Sequence, residues 1–338
     1  MKLDLAMWKK AVTVIPRIED DEWPKLDFVS RWLIMTRFAA IILTVIAVFV
    51  SGVLSYRAVN INIGIWVLLA VALIFAHATN NVLNDLIDFR RGIDRGNYFR
   101  AQYGPQPLDR GFMTQRGLLR YAIGNCLLAL LGGVGLVLYR GGLTLPLMLA
   151  GFLFLVFYTY PLKYFALGEL SVLIVWGPLM IGGGYYVLVG SWDWQIVLAS
   201  LPFAIGATMV IFGKHIDKFE VDREKGVHTL PVVIGERPAR AAAIGLVALQ
   251  YLVILYLVLA RYFTPVVLLV VLSLPLFFKT MLPMFRKPKP KERPANYPAE
   301  SWPLWFVGAA FVYTRRFGLF YILGLIVDTV LHRLLHLA

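Results

Sequence analysis

The stretch INIGIWVLLAVALIFAHATNNVLNDLIDFRRGID, Ile61 to Asp94, decides the fold. It begins as an apolar run near residues 61–82, and about 20 such residues cross a bilayer as a helix. It ends in amides and carboxylates: Asn81, Asn84, Asp85, Asp88 and Asp94. On a helix, positions 81, 84, 85 and 88 are spaced i, i+3, i+4 and i+7, so two amides and two carboxylates share one face. In a soluble protein such a face is a polar helix end meeting solvent. At the end of a membrane span it is a cluster that must be partnered, because ionisable groups there are costly.

The rest of the chain supports the membrane setting. Of 338 residues, 59% are hydrophobic and 16% charged, with a mean hydropathy of +0.71, too apolar for one water-soluble core. Apolar windows recur near 32–55, 61–82, 117–138, 143–161, 168–189, 195–213, 240–260, 264–284 and 317–335. Long continuous runs exclude a barrel, since lipid leaves backbone groups no partner outside a helix. The expected fold is an all-α polytopic transmembrane bundle of about nine spans. The first 30 residues read as a cytoplasmic or interfacial segment without a cleavable signal, and residues 31–338 as one membrane-embedded domain. Met7, Trp8, Val12, Val14 and Ile15 among charges fit an interfacial helix or a mobile tail equally. Arg286 to Pro303, rich in proline and charge, reads as an extended loop. The lone Cys126, inside an apolar run, reads as a packing residue.

Basic residues crowd the N-terminal segment and the loops at 83–116, 214–240 and 286–293, whereas the alternate loops carry little beyond Arg57, Arg140 and Arg261. The positive-inside rule then places the N-terminus and the charged loops in the cytoplasm. The net charge of +13 follows from that topology, and its division among short loops argues against nucleic-acid binding.

A second polar cluster answers the first. The stretch FGKHIDKFEVDREKGVHTLPVVIGE, Phe212 to Glu236, carries Asp217, Glu220, Asp222 and Glu224 among Lys214, Lys218, Arg223 and Lys225. Carboxylates converging from two helices at one end of a bundle suit Mg²⁺, which takes few protein oxygens and leaves positions for substrate phosphates. A diphosphate substrate is the natural inference, with Arg90, Arg91, Arg95, Lys163, Lys214 and Arg223 available to its oxygens.

These residues resemble the UbiA superfamily of intramembrane prenyltransferases. NDLIDFRRGID, from Asn84, is similar to its first N-D-x-x-D motif, and the F-x-x-G-x-D continuation resembles the 1,4-dihydroxy-2-naphthoate branch. The stretch YTYPLKYFALGELSVLIVWGPLMIGGGYYV, Tyr158 to Val187, is similar to the same branch, and DREKGVHTLPVVIGE, from Asp222, to the end of the second motif. The resemblance implies transfer of a prenyl group from a polyprenyl diphosphate to an aromatic acceptor, a naphthoate-type quinone precursor in a menaquinone-like pathway, with a different aromatic or lipid acceptor as the alternative. It implies a metal site of Asn84, Asp85, Asp88, Asp94, Asp217 and Asp222 for Mg²⁺, with Asp88, Asp222 and Asp217 catalytic. Arg91, Lys163, Lys214, Lys218 and Arg223 would hold diphosphate, and Asn81, Tyr158 and Tyr160 would meet the acceptor or shield a cation. The implied setting is a bacterial or archaeal cell membrane, with lipid around the protein and the site open to the cytoplasm.

One position departs from the family pattern. The second motif usually spaces its aspartates four apart, yet four before Asp222 stands Lys218, and Asp217 lies five before. A π-type bulge could turn Asp217 into the site, Glu220 or His215 could substitute, or Lys218 could meet phosphate directly. His77 reads as a satisfied core histidine and Glu169 as the partner of Lys163 or another basic residue. An ion-coupled transporter is the alternative class, but it predicts ionisable groups near the midplane and a repeat between halves.

Overall fold

The computed structural model describes residues 3–93 and 104–335. Among these, eight helices are long and apolar enough to cross a membrane. A nine-residue helix α1 (Leu5–Thr13) and α2 (Phe28–Met35) precede them. There follow α3 (Phe38–Ala58), α4 (Ile63–Arg90), α5 (Gln115–Arg140) and α6 (Thr144–Phe157). Then come α7 (Gly168–Val189), α8 (Trp194–Asp217), the short α9 (Phe219–Glu224), α10 (Glu236–Leu259), α11 (Pro265–Arg286) and α12 (Phe306–Leu334). All nine apolar windows are helical, but the fourth, α6, has only 14 residues, about 21 Å of rise and short of a full span.

Small residues and buried polar groups bring the helices together, as expected where lipid gives no hydrophobic drive between them. A Cβ at Gly132 of α5 would lie 2.8 Å from the Ala72 Cβ of α4, and one at Gly206 of α8 would lie 2.8 Å from Thr314 of α12. Thr314 then donates to the Gly206 carbonyl at 3.1 Å. In α7 the turns from Val175 to Gly182 are π-helical around Pro178, whose missing N–H and bulky ring disturb the i→i−4 ladder.

At one end of the bundle Arg57 of α3 pairs with Asp328 of α12 at 2.9 Å, and Asp328 also accepts from the Thr264 N–H and hydroxyl. The other end carries the N-terminal segment, which packs onto α4 and α5 through Trp23, Leu33, Ile34 and Met35 against Val82, Leu86, Leu118 and Ala122. Asp27 caps α2 on Ser30 and accepts from the Asp4 N–H and the Trp8 indole. Burial alone would raise the Asp27 carboxyl, but these hydrogen bonds turn the net effect downward and keep it charged. The segment is therefore docked on the bundle. The 286–303 loop folds back as well, with Tyr297, Trp302 and Trp305 clustered and Lys289 donating to the Pro303 carbonyl.

Candidate active site

Helix α4 continues eight residues past its apolar window, so the amide and carboxylate face forms as the spacing requires. Asn81, Asn84, Asp85 and Asp88 are all buried. Lys163, on the turn after α6, donates to both Asp88 oxygens at 2.7 and 2.8 Å. Asn84 donates to Asp88 and to the Thr159 hydroxyl, each at 3.2 Å. Arg37 donates to the Asn81 carbonyl at 2.9 Å and lies 3.3 Å from Asp85. Its backbone, at φ +53, is the left-handed break between α2 and α3. An ordinary side chain held there is strained, a condition concentrated at functional positions.

The second cluster reaches the same place from α8 and α9. Asp222, 1% exposed, lies 3.0 Å from Lys218, yet neither of its oxygens accepts an aligned hydrogen bond among the described residues. Asp88, Asp222, Arg37, Lys163, Lys214 and Lys218 line one end of a cavity of about 290 Å³ among α4 to α8. Four cations face two carboxylates there, an excess that suits a multiply charged anion. The other end is apolar, lined by Leu69, Leu136, Leu147, Met148 and Val187. From Asp88 to Leu69 along α4 is about 28 Å of helix. The cavity is thus cationic at its head and greasy along its length, the form of a site for an amphiphile with an anionic head group.

No group of three or more His, Cys, Asp or Glu side chains is assembled for a metal among the described residues. The donor set nevertheless fits a Mg²⁺ ion that is completed by substrate oxygens. Asp222 offers two buried oxygens that accept no aligned hydrogen bond among the described residues, with the Lys218 ammonium 3.0 Å from one of them, and Asp88, whose partner is also a lysine, faces the same cavity.

Several expected residues lie elsewhere. Asp217 does not reach the cavity: α8 stays α-helical to its last residue, the chain turns at Lys218, and no π bulge carries Asp217 round. Its carboxylate instead accepts from the Phe306 and Val307 N–H groups at 3.1 and 3.0 Å, capping α12 at its positive end, with Lys289 at 3.4 Å. One turn earlier, Gly213 permits that approach, since a Cβ there would lie 2.8 Å from the Phe306 and Val307 backbone. Burial lowers the Lys289 ammonium, and the Asp217 carboxylate offsets part of that shift. Glu220 pairs with Arg223 at the surface, away from the cavity. Arg91 lies over the Tyr160 ring at 3.7 Å and the Tyr164 ring at 4.8 Å, also outside it. Tyr158 and Asn81 line the cavity and Tyr160 does not, whereas Asp94 lies outside the described residues. Glu169 pairs with His215 at 2.7 Å rather than with Lys163.

Arg37, Thr159 and Trp176 are site residues that the sequence reading passed over. For Arg37 there was a signal: a lone arginine early in an apolar window needs a reason to be there.

Residues 40–307 match the profile of the UbiA prenyltransferase family. UbiA prenyltransferase domain-containing protein 1 of Xenopus tropicalis is 26% identical over 243 residues, 70% of this chain and 68% of the relative. Its human counterpart is 28% identical over 216 residues, 62% of this chain and 61% of the relative. The chain thus spans about two thirds or less of the length of these relatives. A UbiA homolog from Archaeoglobus fulgidus, solved bound to DMAPP and Mg²⁺, superposes with a TM-score of 0.58 at 16% identity, covering 88% of this chain and 99% of that one. The same homolog bound to GPP and Mg²⁺ gives 0.57 over the same shares. At such identity the likeness concerns the fold.

Proposed function

The chain belongs to the UbiA prenyltransferase family, and from that premise we propose that it transfers a polyprenyl group from an allylic diphosphate to an aromatic acceptor, with Mg²⁺ as cofactor. The observation that carries this reading is the cavity with Asp88, Asp222 and four cations at its head and apolar walls behind them. The diphosphate would lie among Lys163, Lys214, Lys218 and Arg37, with the tail running toward Leu69 and Leu136. Asp88 and Asp222 would hold Mg²⁺, with Asn84 and Asp85 supporting α4's side of the site. When bound, the ion neutralises charge gathering on the departing diphosphate.

Lys163 is buried against Asp88, and a buried charge tolerates losing its partner poorly. A phosphate oxygen supplies a replacement, so Lys163 can pass from carboxylate to substrate as the donor enters. The allylic carbon–oxygen bond then breaks with its electron pair on diphosphate. A ring carbon of the acceptor provides the pair for the new carbon–carbon bond, and the ring gives up the group it carried there. Apolar walls would keep water from the allylic cation, and Tyr158 and Trp176 are aromatic rings in the lining that would stabilise it. A naphthoate-type acceptor, and with it a menaquinone-like pathway, is supported by the F-x-x-G-x-D continuation and the P-x-K-Y-x-A-L-G-E stretch. Asp217 is assigned to the α8–α12 junction.

The basic loops support a site that opens to the cytoplasm. Inverted bacterial membrane vesicles given geranylgeranyl diphosphate, 1,4-dihydroxy-2-naphthoate and Mg²⁺ should yield a prenylated product and release diphosphate outside. External EDTA should stop both. Transfer that survives EDTA, or no diphosphate release at all, would count against the proposal.

A further inference from the structure

His77 stands where the cavity changes character. Along α4, Asn81 and Asn84 follow it toward the charged head, and Leu73 and Leu69 precede it in the apolar part, all of them in the cavity wall. The side chain is 9% exposed, and its Nδ1 lies 2.8 Å from the Thr44 hydroxyl of α3, which fixes the ring. The ring also meets Trp176 edge-on, with centroids 5.3 Å apart and an interplanar angle of 88°. Trp176 belongs to the π-helical turns of α7, and its indole N–H is buried without a hydrogen-bond partner among the described residues. His77 itself lines the cavity, and Nε2 is the ring nitrogen that Thr44 does not hold. A buried polar atom without a partner is disfavoured, and a ligand that answers it gains by doing so.

Its depth suggests which ligand. His77 lies about 10 Å along α4 from Asn84 and about 16 Å from Asp88. The reacting carbon of an allylic diphosphate is bonded to the head group, so an attacking ring must occupy the next stretch, level with Asn81 and His77. We propose that the aromatic acceptor lies against Trp176 with a ring hydroxyl hydrogen-bonded to His77 Nε2, so that His77 orients the acceptor and selects hydroxylated aromatics. The inference rests on the prenyl-transfer reading above. A hydroxyl serves either tautomer: it accepts from Nε2–H when Thr44 donates to Nδ1, and donates to Nε2 when Nδ1–H donates to Thr44.

The test compares acceptor and donor KM in wild type, His77→Leu and His77→Gln. Loss of one neutral hydrogen bond should raise the acceptor KM of His77→Leu roughly fivefold to tenfold. Its donor KM and thermal midpoint should stay near wild type, and His77→Gln should recover most of the loss. The inhibition constants of 1-hydroxy-2-naphthoate and 4-hydroxy-2-naphthoate provide a second readout. For the one lacking the hydroxyl that meets His77, wild type and His77→Leu should not differ. Unchanged acceptor KM, a parallel loss of donor and acceptor binding, or equal sensitivity of both inhibitors would overturn the inference. Should His77→Leu fail to fold, Thr44→Val, which frees the His77 ring from its anchor, carries the same comparison. If the wild type transfers nothing to 1,4-dihydroxy-2-naphthoate, the proposed function fails; transfer that is indifferent to His77 overturns this inference alone.

Discussion

Asp217 and Lys218 are neighbours in sequence that face opposite tasks. Asp217 caps α12 and meets Lys289, whereas Lys218 reaches the cavity beside Asp222. The four-residue spacing that puts Lys218 on the face of Asp222 survives the helix break between them, because the Asp222 N–H still donates to the Lys218 carbonyl at 2.8 Å. Asp217→Asn removes charge from a helix N-terminus and from Lys289, so it should lower the thermal midpoint at a cost of about 1–2 kcal/mol. The Mg²⁺ dependence of turnover should be unchanged. Lys218→Ala should raise donor KM tenfold or more, since it removes a cation from the proposed diphosphate site, and it should also cost some stability by leaving buried Asp222 without its lysine. A thermal melt and a donor titration check the pair. A raised Mg²⁺ requirement in Asp217→Asn would return that carboxylate to the site.

The helices shape the cavity as much as its charges do. The π-helical turns of α7 carry Trp176, Leu179 and Met180 into the wall, and Gly183 beyond them keeps the channel open opposite Leu147. A Cβ at Gly183 would meet Leu147 only at ordinary contact, 3.6 Å, so a larger side chain there has room to fold into the channel. Gly183→Phe should therefore obstruct a long tail and spare a short one. Turnover of geranylgeranyl diphosphate should fall severalfold further than that of dimethylallyl diphosphate, read as the ratio of the two kcat/KM values. An equal loss for both donors would show that the tail does not pass Gly183.

For the molecule as a whole, the sequence made the helices and the first motif legible because both rest on local rules: run length, and the 3.6-residue period that gathers Asn81, Asn84, Asp85 and Asp88. It left Asp217 in the site and Arg37 out of it, because each depends on contacts distant in the chain. The start of α12 lies about 90 residues after Asp217, and Asn81 and Asp85 lie more than 40 after Arg37. Composition likewise gave α6 a full window, where the chain turns early to deliver Lys163 to Asp88. What the whole fold does, which no segment does alone, is bring Asp88 of α4 and Asp222 of α9 to one cavity, where the proposed function gives them one head group to share. Turnover against Mg²⁺ concentration in Asp88→Ala and Asp222→Ala measures that joint role directly. Each should fall about 10²-fold or more, since each removes preorganised stabilisation of the leaving charge. Near-wild-type turnover of both variants at limiting Mg²⁺ would contradict it.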